Sequence, residues 1–138
     1  MATISGATLT IANLNATTVT ATVKYTLTPN AIEKLAGTVF SENVQLIGDD
    51  PGVASDIVVS GFPGQAFAVA GGTVNVPRTR TRNVLKSALN EDPGFEGTGA
   101  EQADEIFARI SLTYAANAPI PSALPGPATT NKVAGAWK

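Results

Sequence analysis

In the stretch from Thr17 to Thr28 apolar and polar residues alternate, Val19, Ala21, Val23, Tyr25 and Leu27 on one side and Thr18, Thr20, Thr22, Lys24, Thr26 and Thr28 on the other. Successive side chains of an extended strand point to opposite faces, so this period of two predicts a long β-strand with one packed face and one wet, threonine-rich face. Ahead of it, Ala7, Leu9 and Ile11 alternate with Thr8 and Thr10, and the turn-rich Asn13-Leu14-Asn15 joins the two runs, which predicts a first hairpin. Pro29 and Asn30 end the long strand, and one helical turn is expected over 31–36.

A third strand is predicted from Thr38 to Ile47. Phe40, Val44 and Leu46 share a face with Glu42, while Val39, Ser41, Asn43, Gln45 and Ile47 take the other. Gly48-Asp49-Asp50-Pro51-Gly52 is a turn signal, and Ile57-Val58-Val59 behind it reads as a short buried strand. Runs at 66–70 and 73–76 flank Gly71-Gly72, which suggests a tight connection; the second continues past Pro77 to Leu85, with the proline marking an edge or a bulge. After a Gly- and acid-rich loop over 90–103, Ile106, Ala108, Ile110, Leu112 and Tyr114 alternate with Phe107, Arg109, Ser111 and Thr113 in a last clear strand. Short strands separated by Gly/Pro turns, with no amphipathic helix, predict an all-β antiparallel β-sandwich of immunoglobulin-like or jelly-roll topology. Beyond Tyr114, Pro119, Pro121, Pro125 and Pro127 punctuate an Ala-rich stretch, so residues 1–114 are expected to form the single domain and 115–138 an extended C-terminal arm.

Composition narrows the function classes. With 138 residues the chain suits one core. Only 14% of residues are charged, so the surface must be built largely from Thr, Ser, Asn, Gly and Ala. A net charge of -2 gives no general attraction to phosphate backbones, and nucleic acid is not an expected partner. The absence of His and Cys removes Ser-His-Asp and Cys-His catalysis, imidazole and thiolate metal sites and any disulfide framework. No run approaches the ~20 apolar residues of a membrane-spanning helix. The first residues lack the basic and apolar regions of a secretory signal. A soluble chain is expected, with cytoplasm, virion and processed extracellular locations all open.

Three groups of residues are candidates for a site. Asp49, Asp50, Asp56, Asp92 and Asp104 fall in or beside predicted loops, and loop carboxylates at one end of a sandwich are the ligands calcium takes; the plainer reading is solvated acids, since the spacing matches no EF-hand. Arg78, Arg80 and Arg82, at period two, share one face of a strand. Such a row can grip an anionic ligand, but an edge or cross-strand ion-pair ladder, or an interface between subunits, fits it better. Trp137, near the end of a polar arm, either anchors the arm in a neighbouring copy or folds back on its own domain. Asn15-Ala16-Thr17 matches a glycosylation acceptor, and a pair such as Glu91 with Asp104 has the chemistry of glycoside hydrolysis, but no other feature of the sequence supports either. The expected role is therefore non-enzymatic: a self-associating structural subunit forming a homo-oligomer. The alternative is a module recognising carbohydrate or protein through its acidic loops with calcium.

Overall fold

The structure is a computed structural model, and the description covers residues 2–29, 39–48, 56–59, 62, 64–69, 75–89, 104–114 and 126–135. Among the described residues the strands are β1 (Thr3–Asn13), β2 (Thr18–Thr28), β3 (Val39–Gly48), β4 (Asp56–Val59), β5 (Gln65–Ala68), β6 (Val76–Leu85), β7 (Asp104–Tyr114), β8 (Ala128–Thr129) and β9 (Val133–Gly135). One helical turn, Lys86–Leu89, follows β6. The helical turn expected over 31–36 lies outside the described residues.

The first sheet has the order β1-β2-β6, antiparallel throughout. The second is built on β3 and β7, which pair from Phe40↔Tyr114 to Gly48↔Ile106. The far edge of β3 carries two short strands in line, β5 opposite Val39–Glu42 and β4 opposite Leu46–Gly48. The far edge of β7 is likewise covered by β8 and β9. The protein is thus an all-β sandwich. A β1–β2 hairpin within one sheet, followed by a crossing to β3 in the other, gives the immunoglobulin-like order rather than the jelly-roll one.

The alternation that predicts β2 also builds the core. Val19, Ala21, Val23, Tyr25 and Leu27 are all buried, and the long alternations of β3 and β7 meet them from the opposite sheet through Phe40, Val44, Leu46, Ile106 and Ile110. In β1 the pattern is interrupted by a bulge: Gly6 and Ala7 together oppose Tyr25, and Gly6 takes φ +63°, a left-handed conformation that glycine adopts without a Cβ clash. The β1–β2 turn is tied by Asn15, whose side-chain oxygen accepts hydrogen bonds from the backbone N–H groups of Thr17 (3.0 Å) and Thr18 (2.9 Å).

Two expectations need correction. The runs flanking Gly71-Gly72 lie in different sheets, β5 pairing with β3 and β6 with β2, so the connection crosses the sandwich. The domain does not end at Tyr114, because residues 126–135 enter the second sheet. Local proline density argues against strand there, but β8 and β9 begin beyond Pro127 and are held by tertiary bonds that no local pattern encodes.

Candidate functional site

A polar cluster sits inside the sandwich where hydrocarbon would be the default. In the register of the first sheet, Val76, Arg78, Arg80, Arg82 and Val84 stand opposite Leu27, Tyr25, Val23, Ala21 and Val19. The arginine row therefore belongs to the face whose β2 members are all buried. β6 is the terminal strand of its sheet, in keeping with Pro77 within it. The charge that answers the row comes from across the sandwich. Glu42 occupies the inward face of β3 between Phe40 and Val44 and is 2% exposed.

Both oxygens of Glu42 are engaged. Oε2 accepts from the Tyr25 hydroxyl and from Arg78 Nε at 3.2 Å; Oε1 accepts from Arg80 Nη1 and from Arg78 Nη2 at 3.4 Å. Arg78 also donates to the side-chain oxygen of Gln65 on β5, and its guanidinium lies 4.3 Å from the centroid of the Phe67 ring. Phe67 and Tyr114 in turn stack on either side of Phe40, with ring centroids 5.8 and 5.5 Å away. One carboxylate thus ties the two sheets together through Tyr25, Arg78 and Arg80.

The titration behaviour follows from this geometry. Burial pushes the Glu42 carboxyl up, but the hydrogen bonds from Arg78, Tyr25 and Arg80 and the charge of Arg78 outweigh it and hold the group below its ordinary value. Burial, followed by the hydrogen bond to Glu42 and its negative charge, pushes the Tyr25 phenol well above its ordinary range. Burial lowers Arg78, and the bond and charge of Glu42 more than restore it. A carboxylate saturated by donors, beside a phenol held protonated, is a poor general base and a poor metal ligand. What the arrangement does is fix the facing of two sheets.

The residues nominated from sequence are distributed unevenly around this cluster. Arg78 and Arg80 are within it, and Arg80, expected at an interface, is instead buried at 7% exposure, because it stands beside Val23 on the core face. Arg82 shares the inner face but is exposed. Asp56 begins β4 opposite Gly48, and Asp104 begins β7, whose Ile106 pairs with that same Gly48, so both acids start strands at one end of the second sheet. Asp49, Asp50, Asp92 and Trp137 lie outside the described residues. Among the described residues no group of three acidic side chains is placed to hold a metal ion. No described helix is long and apolar enough to cross a membrane. Asn15 of the glycosylation match spends its amide oxygen on the hairpin turn.

Sequence reasoning missed Tyr25, Gln65, Phe67, Thr130 and Asn131. A signal existed for the cluster: a glutamate on the same face as Phe40, Val44 and Leu46 requires a buried counter-charge, and three arginines on one strand face can supply it. Thr130 and Asn131 gave no such signal. Thr130 exchanges bonds with Ala108 of β7, its N–H donating to the Ala108 carbonyl (3.0 Å) and its hydroxyl oxygen accepting from the Ala108 N–H (2.9 Å). Asn131 reaches the other sheet: its Oδ1 accepts from Leu9 N–H at 2.9 Å and its Nδ2 donates to Leu9 C=O at 3.1 Å.

No protein-family model and no curated protein matches the chain. Among solved structures it is similar to the solution structure of a protein from Arabidopsis thaliana, with a TM-score of 0.52 and 11% sequence identity, covering 96% of this chain and 80% of that one. At that identity the likeness concerns the fold alone.

Proposed function

We propose that the protein is a non-enzymatic, self-associating structural subunit. The observation that carries this reading is β1. It forms one edge of the three-stranded sheet, runs eleven residues, and contains no charged residue and no proline. Edge strands are ordinarily blunted by lysine, proline or shortness, because their free backbone groups invite another strand. Here a bulge at Gly6 and a single asparagine at Leu9 do that work, and the remaining edge is suited to a subunit contact. Two further features support it: a threonine-rich outer face on β2, and Leu14 and Leu85, 54% and 58% exposed, both adjoining Thr18 at one end of the sheet. Chemistry is disfavoured because the buried carboxylate is consumed by its own sandwich.

The test is solution mass by light scattering after size exclusion, for the natural chain and for Thr8→Lys/Thr10→Lys, which places two cations on the exposed face of the edge strand. An oligomer that the double variant reduces toward monomer supports the reading; a natural chain that is monomeric at about 100 μM rules it out. A second reading, calcium-assisted recognition of carbohydrate or protein, is favoured by the start of β4 and β7 at one sheet end. A rise in melting temperature with millimolar calcium would support it, and an unchanged melt would remove it.

A further inference from the structure

Backbone bonding alternates along an antiparallel strand: a residue that exchanges bonds with one neighbour is followed by one that turns its N–H and C=O to the other side. In β1 two contacts fix the phase. Leu14 N–H donates to Thr18 C=O at 3.0 Å, towards β2, whereas Leu9 N–H and C=O meet the Asn131 amide on the far side at 2.9 and 3.1 Å. The register runs without a shift from Thr8 to Asn13, so Thr8, Thr10 and Ala12 bond inward to β2, while Leu9, Ile11 and Asn13 face the outer edge. Among the described residues, no bond reaches the edge groups of Ile11 or Asn13.

What can cover that edge is constrained from both sides. At Leu9 the Asn131 amide already occupies both backbone groups, and before Thr8 the bulge at Gly6 redirects the strand. An incoming strand is left with Ile11 and Asn13. When a second copy of β1 is set antiparallel with the two-fold axis at Ala12, Ile11 of each copy comes opposite Asn13 of the other, and each pair exchanges both of its bonds. Moving the axis back to Ile11 would instead bring Asn13 opposite Leu9, whose groups are taken. The side chains agree with the first register. Ala12, small and exposed, lies at the axis, a non-hydrogen-bonded position where Cα atoms approach to about 4.5 Å. Thr10 of each copy comes to Leu14 of the other, which is 54% exposed and lies on the same outer face. A foreign strand would be selected by complementary charge, which Thr3–Asn13 does not offer; pairing with its own copy requires only that no like charges meet.

We infer that two copies join through β1, antiparallel about an axis at Ala12, with Asn131 setting the register by closing Leu9. This deepens the self-association reading and rests on it. The two three-stranded sheets then continue as one, in the order β6-β2-β1-β1-β2-β6.

The chain has no cysteine, so single introduced thiols report without background. Full-length Ala12→Cys and Thr10→Cys, both at exposed positions on the same face, are oxidised in the native state at equal concentration, beside light scattering of the natural chain. At the axis the two thiols at position 12 fall within disulfide range, whereas those at position 10 are offset by about 13 Å along the pair. The expected result is a disulfide dimer on a non-reducing gel at least fivefold more abundant for Ala12→Cys. In Asn131→Ala/Ala12→Cys the axis at Ile11 gains the Leu9 pairing, and the self-link falls at least threefold; an unchanged self-link there overturns the role given to Asn131. An oligomeric natural chain whose Ala12→Cys variant links no better than Thr10→Cys overturns the register while leaving self-association through another surface. A monomeric natural chain overturns both.

Discussion

Replacing Glu42 by leucine removes the carboxylate that Tyr25, Arg78 and Arg80 share and leaves two guanidiniums facing hydrocarbon. Removing one partner of a buried ion pair costs about 3–5 kcal/mol, mostly because the remaining charge is stranded. Here the Glu42 side chain is fully buried, whereas those of Arg78 and Arg80 are 17% and 8% exposed, so both head groups can lean toward water and the lower end of the range applies. A loss of about 3 kcal/mol is a large part of a stability of about 5–15 kcal/mol. For a chain of this length it lowers the melting temperature by about 10 °C, and with an m-value near 2 kcal/mol/M it lowers the urea midpoint by about 1.5 M. Far-ultraviolet circular dichroism read against urea and temperature measures both. The decisive comparison is the triple variant Glu42→Leu/Arg78→Met/Arg80→Met, which removes every charge and fills the space with hydrocarbon; it recovers most of the loss, because the cost lies in the unpaired charges. The reasoning fails if Glu42→Leu stays within about 0.5 kcal/mol of the natural chain, or if the triple variant is as unstable as the sum of its parts.

The same cluster sets a stability profile with pH. Glu42 has a folded value below the ordinary ~4.3, so its contribution is fully present above that value and is lost as acid drives the pH down through the folded one; midpoint denaturant concentrations should fall below about pH 4.5, and less so in Glu42→Gln. Tyr25 is raised above the ordinary ~10, so stability should also decline above about pH 10, where the unfolded phenol ionises and the folded one does not, and Tyr25→Phe should remove that alkaline limb. Asn131→Ala leaves the Leu9 N–H and C=O without their amide partner at a cost of about 1–2 kcal/mol, and hydrogen exchange at the Leu9 amide should quicken at least tenfold, and by more than at Val23 in the middle of β2, which reports only the global loss.

Much of the fold is legible in the sequence because β2, β3 and β7 each keep one face in the core, and a period of two records that directly. The strand order is not legible, since the partner of each long strand lies far away along the chain and any alternating run can pair with any other. The candidate site is half legible. Glu42 on an apolar face and arginines at period two are visible, yet their meeting depends on which strands face each other across the sandwich. The return of the C-terminal segment is hidden for a different reason: β8 and β9 span two and three residues, too short to show a period, and the asparagine that holds them acts on a residue 122 positions away.

The β3–β7 ladder has a consequence for how the chain reaches this state. Its rungs join residues from 58 to 74 positions apart, while the β1–β2 hairpin closes almost at once. Loop closure must precede the reward from such pairings, which places the protein among slow folders, in the millisecond-to-second range or beyond. During synthesis at about 5–20 residues per second, β3 waits roughly 3–15 s for its mate to be made. Through that interval a hairpin whose single charge is Lys24 and the apolar face of β3 lack their cover, so the nascent chain is at its most adhesive before the second sheet exists.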